Sequence, residues 1–345
     1  MFCFCLYLFC VKIIYMKYII TCNKQSSADC LSMLKKHKDI KFLEWLDAEV
    51  GLVEYSGKLP LYTQILVTDF YIRHIFSVTE IADFEHSEQV LRFFAYQNID
   101  KTKSFSFQVR KTKRVVFDNE IIFAIAKELE QDGYVLDVKD PEQIVSVFIS
   151  EQKVYLGVGN KIENLSKFKG GMYHFRDDES FVSRAEYKLL EAYDCFNLDW
   201  TNKTNGIDLG AAPGGWSKVL ADHCKTVYAV DPANLDEKIK NLDNVSHYKM
   251  TSQEFAFKHK DSNLKFDILV NDMKMDATES IEITKSMAQF LNADADIVLT
   301  LKLPHNCQPS KINSYISNIS KCYKVMAARQ LFHNRSEITV WAKNY

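Results

Sequence analysis

Glycine and proline are scarce in this 345-residue chain, at 11 and 6 residues, which excludes collagen-like repeats and long linker-like segments. Net charge is nearly absent. Forty-three basic and 45 acidic side chains leave −2, and that total argues weakly against a nucleic-acid partner, because phosphate backbones call for a basic protein. Metal-type cysteine pairs are missing as well. The nine cysteines (Cys3, Cys5, Cys10, Cys22, Cys30, Cys195, Cys224, Cys307 and Cys322) include no C-x-x-C spacing. Cys3 and Cys5 have no His or Cys partner at zinc-finger distance, so no metal is expected. An odd number of cysteines in so long a chain fits a reducing cytoplasm better than a disulfide scaffold. Long hydrophobic runs are lacking too. The apolar stretch Met1–Tyr15 is interrupted by Lys12, has no basic leader or small-residue cleavage site, and is too short to span a bilayer. We expect residues 1–15 to be a non-native extension, with translation starting near Met16; a membrane anchor is the rival reading.

What is present is an ordinary globular composition, 47% hydrophobic and 26% charged, and enough length for two or three domains. Charge is segregated: residues 51–100 hold 3 basic and 7 acidic side chains, and 301–345 hold 7 basic and 1 acidic. The total therefore says little about any one surface. From Met16 the pattern reads strand, helix, two strands, helix, strand, which predicts a ferredoxin-like α+β unit over 16–84. Over 85–165, helices at His86–Phe94 and Asp118–Gln131 combine with strands at Phe105–Val109, Ile144–Ser150 and Lys153–Val158. In this segment Lys101, Lys103, Arg110, Lys111, Lys113 and Arg114 form a run without an acidic residue. That run is either a solvated sheet edge, protected by charge from edge pairing, or a set of phosphate contacts.

The remainder, 180–345, alternates strands and helices. Runs such as Phe266–Val270 and Ala295–Leu301 are nearly continuous in apolar residues, as strands buried on both faces must be. They predict a doubly wound α/β sheet whose last two strands pair antiparallel at one edge. The strongest local signal is Asp208-Leu209-Gly210-Ala211-Ala212-Pro213-Gly214-Gly215-Trp216, where a strand ends, small residues turn the chain and a helix begins. Glycines there let backbone amides approach a ligand closely. The spacing is not G-x-G-x-x-G. Asp231 follows 21 residues after Gly210, at the end of the next strand, where a carboxylate can accept from ribose hydroxyls.

Asp208–Trp216 resembles the first motif of the FtsJ-type, S-adenosylmethionine-dependent RNA ribose 2′-O-methyltransferases. The resemblance extends in order through Ser183–Leu189, Asp267–Met273, Thr300–Pro304 and Ser336–Val340. It implies a class I Rossmann-like methyltransferase fold with a mostly parallel seven-stranded sheet. It also implies a catalytic tetrad of Lys188, Asp272, Lys302 and Glu337. S-adenosylmethionine would be held by Asp208, Gly210, Ala211, Pro213, Gly214, Gly215, Trp216, Asp231 and Asp272. Ala328–Arg335 is similar to the stretch before the glutamate in the branch acting on a cytidine of 23S rRNA. Residues 85–165 resemble a THUMP RNA-binding domain. The implied partner is RNA, 23S rRNA or a large-subunit precursor, touched by Lys101, Lys103, Arg110, Lys111, Lys113, Arg114, Arg184 and Arg335. The expected protein is a cytoplasmic monomer with no metal and no membrane. One departure stands out: Thr251-Ser252 occupy the place of the acidic residue that usually contacts adenine.

The tetrad is chemically sensible in its own right. A ribose hydroxyl is a weak nucleophile, so positioning and a nearby proton acceptor carry the catalysis. A free lysine titrates near 10.4. Lys188 and burial would lower Lys302, whereas Asp272 and Glu337 would raise it, and the sign stays open at this level. Two other readings compete: a non-catalytic RNA-binding or assembly factor, and a base methyltransferase. The latter usually carries Asn/Asp-Pro-Pro-aromatic after the fourth strand, and Asn271-Asp272-Met273-Lys274 does not match it.

Overall fold

β-Branched and aromatic residues dominate the strands, and the few prolines lie in loops or at helix starts. In the computed structural model, residues 15–174, 181–304 and 307–345 are described; apart from Tyr15, the apolar leading segment lies outside them. The first unit comprises β1 (Met16–Cys22), α1 (Ser27–Leu34), β2 (Ile40–Asp47), β3 (Val50–Tyr55), α2 (Leu61–Thr68) and β4 (Ile72–Val78), with strand order β2-β3-β1-β4. Pro60 stands at the N-cap of α2, so the helix starts two residues later than the Leu59 expected from sequence.

The second unit comprises β5 (Glu80–Asp83), α3 (Ser87–Asn98), β6 (Phe105–Lys111), α4 (Glu120–Gln131), β7 (Gln143–Ile149) and β8 (Lys153–Gly159), in the order β5-β8-β7-β6. Its first strand is absent from the expected pattern. Only four residues long, β5 takes its strand character from pairing with β8 rather than from periodicity.

The third unit comprises α5 (Ala185–Cys195), β9 (Lys203–Leu209), α6 (Gly215–Ala221), β10 (Cys224–Val230), α7 (Glu237–Lys240), β11 (Val245–Tyr248), α8 (Ser252–His259), β12 (Phe266–Asn271), α9 (Ala277–Ser286), β13 (Leu291–Lys302), α10 (Pro309–Ile319), β14 (Tyr323–Arg329) and β15 (Glu337–Asn344). Its seven strands run β11-β10-β9-β12-β13-β15-β14, with only β15 antiparallel to its neighbours. This is the doubly wound, mostly parallel seven-stranded sheet expected from the sequence. The chain reverses direction across the sheet between β9 and β12, and ligands of open α/β sheets bind outside the carboxyl ends at such a point.

The apolar faces are shared between units. Leu61, Ile65, Phe70 and Tyr71 of the first unit lie in one continuous core with Ile316, Ala328 and Val340 of the third. Gln330 N donates to Phe70 O at 2.6 Å, and β4 runs beside β8, with Thr79 N donating to Leu156 O at 2.9 Å. On the opposite face of the large sheet, Leu189, Trp200, Trp216 and Leu220 pack over Val227, Ile268 and Val298.

Candidate active site

The carboxyl ends of β9, β12 and β13 converge at the reversal point. β12 ends at Asn271, and the next residue is Asp272. Asn271 is fully buried; its side-chain nitrogen donates to Ser280 Oγ (3.1 Å) and Thr284 Oγ1 (2.9 Å) of α9, while its oxygen accepts from Met273 N (3.0 Å). The turn that presents Asp272 is thus fastened to a helix. Lys302 ends β13 and lies opposite Glu337, the first residue of β15, in the antiparallel register. Lys188 reaches in from α5.

These four side chains form a closed ring of alternating charge. Lys302 Nζ donates to Asp272 Oδ1 at 2.6 Å and to Glu337 Oε1 at 2.9 Å. Lys188 Nζ lies 2.7 Å from Glu337 Oε2 and 3.3 Å from Asp272 Oδ2. Burial works against the Lys302 ammonium, yet the carboxylates of Asp272 and Glu337 outweigh it and hold its pKa above the ordinary lysine value. Burial likewise opposes the Glu337 charge, and hydrogen bonds from Lys188 and Lys302 override it, pulling that carboxyl below the usual range. The sign left open by the sequence is now decided: Lys302 stays charged at neutral pH, and so does Glu337.

Beside the ring lies the glycine turn. Gly210 has φ +74°, and a Cβ there would meet Met273 Cγ at 2.3 Å. At Gly215 a Cβ would meet Ser183 Oγ at 2.5 Å and Glu186 N at 3.2 Å, so α5 and α6 approach closely only because that residue is glycine. Ala211 is buried and Pro213 and Gly214 complete the turn, with Gly214 at the N-cap of α6. Asp208 is fully buried and accepts from Ser217 Oγ at 2.7 Å. Burial, together with the nearby charges of Asp272 and Asp231, pushes its carboxyl up to about 7. Asp231 accepts from Ala212 N (3.0 Å) and Ala233 N (2.7 Å), which fixes the turn's shape. The Trp216 side chain is buried and donates its indole N–H to Ala185 O at 2.6 Å, clamping the helix that carries Lys188. Thr251, in the region of the expected adenine contact, spends its hydroxyl on capping α8, accepting from Glu254 N.

The predicted basic run is divided. Lys101 and Lys103 precede β6, and Arg110, Lys111, Lys113 and Arg114 lie at or beyond its far end, a separation of roughly 20 Å for a seven-residue strand. Arg110, with only 13% of its side chain exposed, pairs with Glu49 at 2.9 Å. Lys103 pairs with Asp100 and Arg114 with Glu151. Arg110, Lys111 and Lys113 join Lys24 and Lys169 around a cleft of about 450 Å³ between the first two sheets, whose lining also includes Asp47 and Glu49. Lys24 and Lys169 are distant in sequence, so no local run could reveal them. Arg184 and Arg335 are exposed on the rim of the cleft that contains Lys188 and Glu337.

Sequence reading missed Glu191. Buried on α5 one turn after Lys188, it accepts from Phe332 N (2.6 Å), His333 N (2.9 Å) and His333 Nδ1 (2.7 Å). It therefore anchors the loop leading to Glu337. Asn334 was missed as well: its amide oxygen accepts from Leu331 N and Thr339 Oγ1, and its nitrogen lies 3.4 Å from Glu337 Oε2. The i, i+3 spacing of Lys188 and Glu191 was the available signal. Among the described residues, no group of three or more His, Cys, Asp or Glu is arranged to hold a metal ion, and no helix is long and apolar enough to cross a membrane.

Known proteins share this arrangement of motifs. The family model for FtsJ-like methyltransferase matches residues 181–314. An uncharacterized protein of Methanocaldococcus jannaschii is 32% identical over 196 residues, 54% of this chain and 52% of that protein. Ribosomal RNA large subunit methyltransferase M of Pseudomonas entomophila is 26% identical over 230 residues, 62% of each. Its namesake from a Shewanella species is 24% identical over 310 residues, 82% of this chain and 81% of that protein. The chain thus spans between about half and three fifths of the length of the first two relatives.

Proposed function

Because residues 181–314 form an FtsJ-like methyltransferase domain, we propose that this protein is an S-adenosylmethionine-dependent RNA methyltransferase acting on a ribose 2′-hydroxyl. The observation that carries the proposal is the closed Lys188–Asp272–Lys302–Glu337 ring beside the glycine turn. In this reading the substrate is large-subunit ribosomal RNA, in agreement with the name of the Pseudomonas and Shewanella relatives, and within it a cytidine of 23S rRNA, as the resemblance of Ala328–Arg335 implies. The protein works as a cytoplasmic monomer. Residues 16–78 form a ferredoxin-like unit and 80–165 a THUMP-like unit, the boundary expected at 84 moving back because β5 pairs with β8, and both dock the RNA through Lys101, Lys103, Lys111, Lys113 and Arg114 together with Lys24 and Lys169. Arg184 and Arg335 hold it at the catalytic cleft.

The turn suits the methyl donor. A side chain at Gly210 would collide with Met273, the residue after Asp272, and the carboxylates of Asp272 and Asp231 act on Asp208 there, an anionic setting for a sulfonium cation. Asp231 is the ribose contact, and Gly210–Gly214 lend backbone. When bound, S-adenosylmethionine supplies an electrophilic methyl carbon. The chain's own task is to aim the hydroxyl. Lys302, kept charged by its two carboxylates, directs its remaining N–H at the 2′-oxygen and stabilises the negative charge that develops there. The hydroxyl proton would leave to a ring carboxylate as the methyl carbon exchanges its bond to the donor's sulfonium sulfur, which departs as a neutral thioether, for one to the 2′-oxygen. Lys188 holds Asp272 and Glu337 apart at fixed spacing, so positioning rather than a strong base does most of the catalysis.

Replacing Lys302 with Ala is expected to abolish methyl transfer to a large-subunit rRNA transcript while S-adenosylmethionine affinity, measured by calorimetry, changes little. Retained turnover would refute the assignment. Mapping 2′-O-methylation across ribosomal RNA from a deletion strain identifies the nucleotide.

A further inference from the structure

The charged ring shares its cleft with aromatic side chains. An open cavity of about 570 Å³ is lined by Lys188 and Glu337 together with Phe181, Tyr187 and His333. Phe181 and Tyr187 are stacked, with centroids 4.8 Å apart and planes inclined by 26°. Tyr187 faces His333 at 5.4 Å and 47°. All three rings are half-buried, so each keeps some surface open to the cavity. The arrangement is held firmly: Tyr187 sits next to Lys188 on α5, and His333 is bound by Glu191 of the same helix.

A second cleft of about 660 Å³ shares Phe332, Asn334 and Arg335 with the first, but its far wall is polar, formed by Asn23, Gln25 and Ser26 of the first unit. The two sides of the ring therefore differ in chemistry, one ring-lined and one polar. A ribose whose 2′-hydroxyl rests on Lys302 carries its base on the adjoining carbon, so the base must lie close to the tetrad. Of the two available sides, only the first offers several π faces.

We propose that the cleft between α5 and the 330–336 loop is the seat of the target nucleobase, which stacks against the Phe181–Tyr187 pair while Arg184 and Arg335 contact the flanking phosphates. This rests on the ribose-methylation reading and adds the substrate form to it: a nucleotide unstacked from its neighbours. A base engaged in a helix cannot lie against recessed rings, so the acceptor is single-stranded or flipped out. Stacking tolerates any base, because every base has a π face. Identity is then read elsewhere, and the platform supplies affinity and aim.

The test uses the full chain without methyl donor and a short single-stranded RNA carrying one central 2-aminopurine. Binding is expected to quench the probe's fluorescence in the wild type and in Tyr187→Phe, which keeps the ring. Quenching should be lost in the Phe181→Leu/Tyr187→Leu double variant, which keeps apolar bulk without π faces. In methylation assays on a large-subunit rRNA transcript, the leucine pair should raise the KM for RNA about tenfold to a hundredfold, the weight of one stacked base. S-adenosylmethionine affinity should be unchanged, which checks that the variant is folded. Equal quenching and equal KM in the leucine pair overturn the proposal, as does a loss of the same size in Tyr187→Phe. If the wild type quenches the probe through these rings yet methylates no RNA, the catalytic reading falls and the seat stands. If it methylates RNA with a KM indifferent to the leucine pair, the seat falls and the catalytic reading stands.

Discussion

A lysine ammonium between two carboxylates makes a poor base and a good orienting donor. With its pKa raised by Asp272 and Glu337 against the opposing effect of burial, Lys302 remains charged throughout the neutral range. The single-turnover rate of methyl transfer should therefore be level between about pH 6 and about pH 9, because neither Lys302 nor the lowered Glu337 titrates there. A rate rising tenfold per pH unit over that range would mean that Lys302 must first be neutral. Asp208 gives a second residue-scale prediction. Its carboxyl is raised to about 7 by burial, so the folded chain holds a proton that the unfolded chain has released. Stability must fall as pH climbs from the ordinary carboxylate range to about 7, and level off above. Asp208→Asn should flatten that decline and raise the melting temperature at pH 8 by at least about 2 °C, measured by thermal denaturation. The identities of these side chains were legible in the sequence. The direction of their shifts was not, because it depends on distances between residues as far apart as Lys188 and Glu337.

At the scale of elements, α5 is the part on which the site is assembled. One face carries Lys188 into the ring, Glu191 holds the backbone before β15, and Ala185 O accepts from Trp216 of α6. Glu186 reinforces the last contact through Lys218 at 2.8 Å. Glu191→Ala would leave the N–H groups of Phe332 and His333 without their acceptor, at a cost of about 1–3 kcal/mol for each buried donor. The expected result is a clearly lower melting temperature and a kcat reduced at least about tenfold as Glu337 loses its support. Cofactor affinity should be nearly unchanged, since Glu191 is not in the glycine turn; a normal kcat would show that the loop holds itself. The sequence identified α5 from Ser183–Leu189. It held no sign that the Trp216 indole fastens this helix, because a motif position tells which residue is present and not which partner its side chain finds.

For the whole molecule, the important fact is that the first unit and the large sheet have one core in common. A chain lacking residues 16–84 would expose the apolar surface now covered by α2, and it should run as aggregate in size-exclusion chromatography. A well-behaved monomer would mean that the shared core is dispensable. The same packing gathers Lys24, Lys111, Lys113 and Lys169 at one cleft. Changing all four to Gln should weaken binding of single-stranded RNA and make the slope of log affinity against log salt shallower by up to about 3, at roughly 0.7 for each phosphate no longer neutralised. Changing Lys101 and Lys103, at the other end of β6, tests whether the RNA path extends that far; an unchanged slope would limit the path to the cleft.

Taken alone, the sequence determined the order of strands and helices apart from β5, the glycine turn after β9 and, through the family resemblance of its short motifs, all four members of the charged ring. These are features of local periodicity and short motifs, and they need only neighbouring residues to be read. The tertiary structure decided that Arg110 pairs with Glu49, that Trp216 and Glu191 brace α5, that four lysines from separate segments share a cleft, and that Lys302 stays charged. Each of these depends on contacts between residues distant along the chain, where burial and charge proximity are set by packing and leave no periodic trace in the sequence.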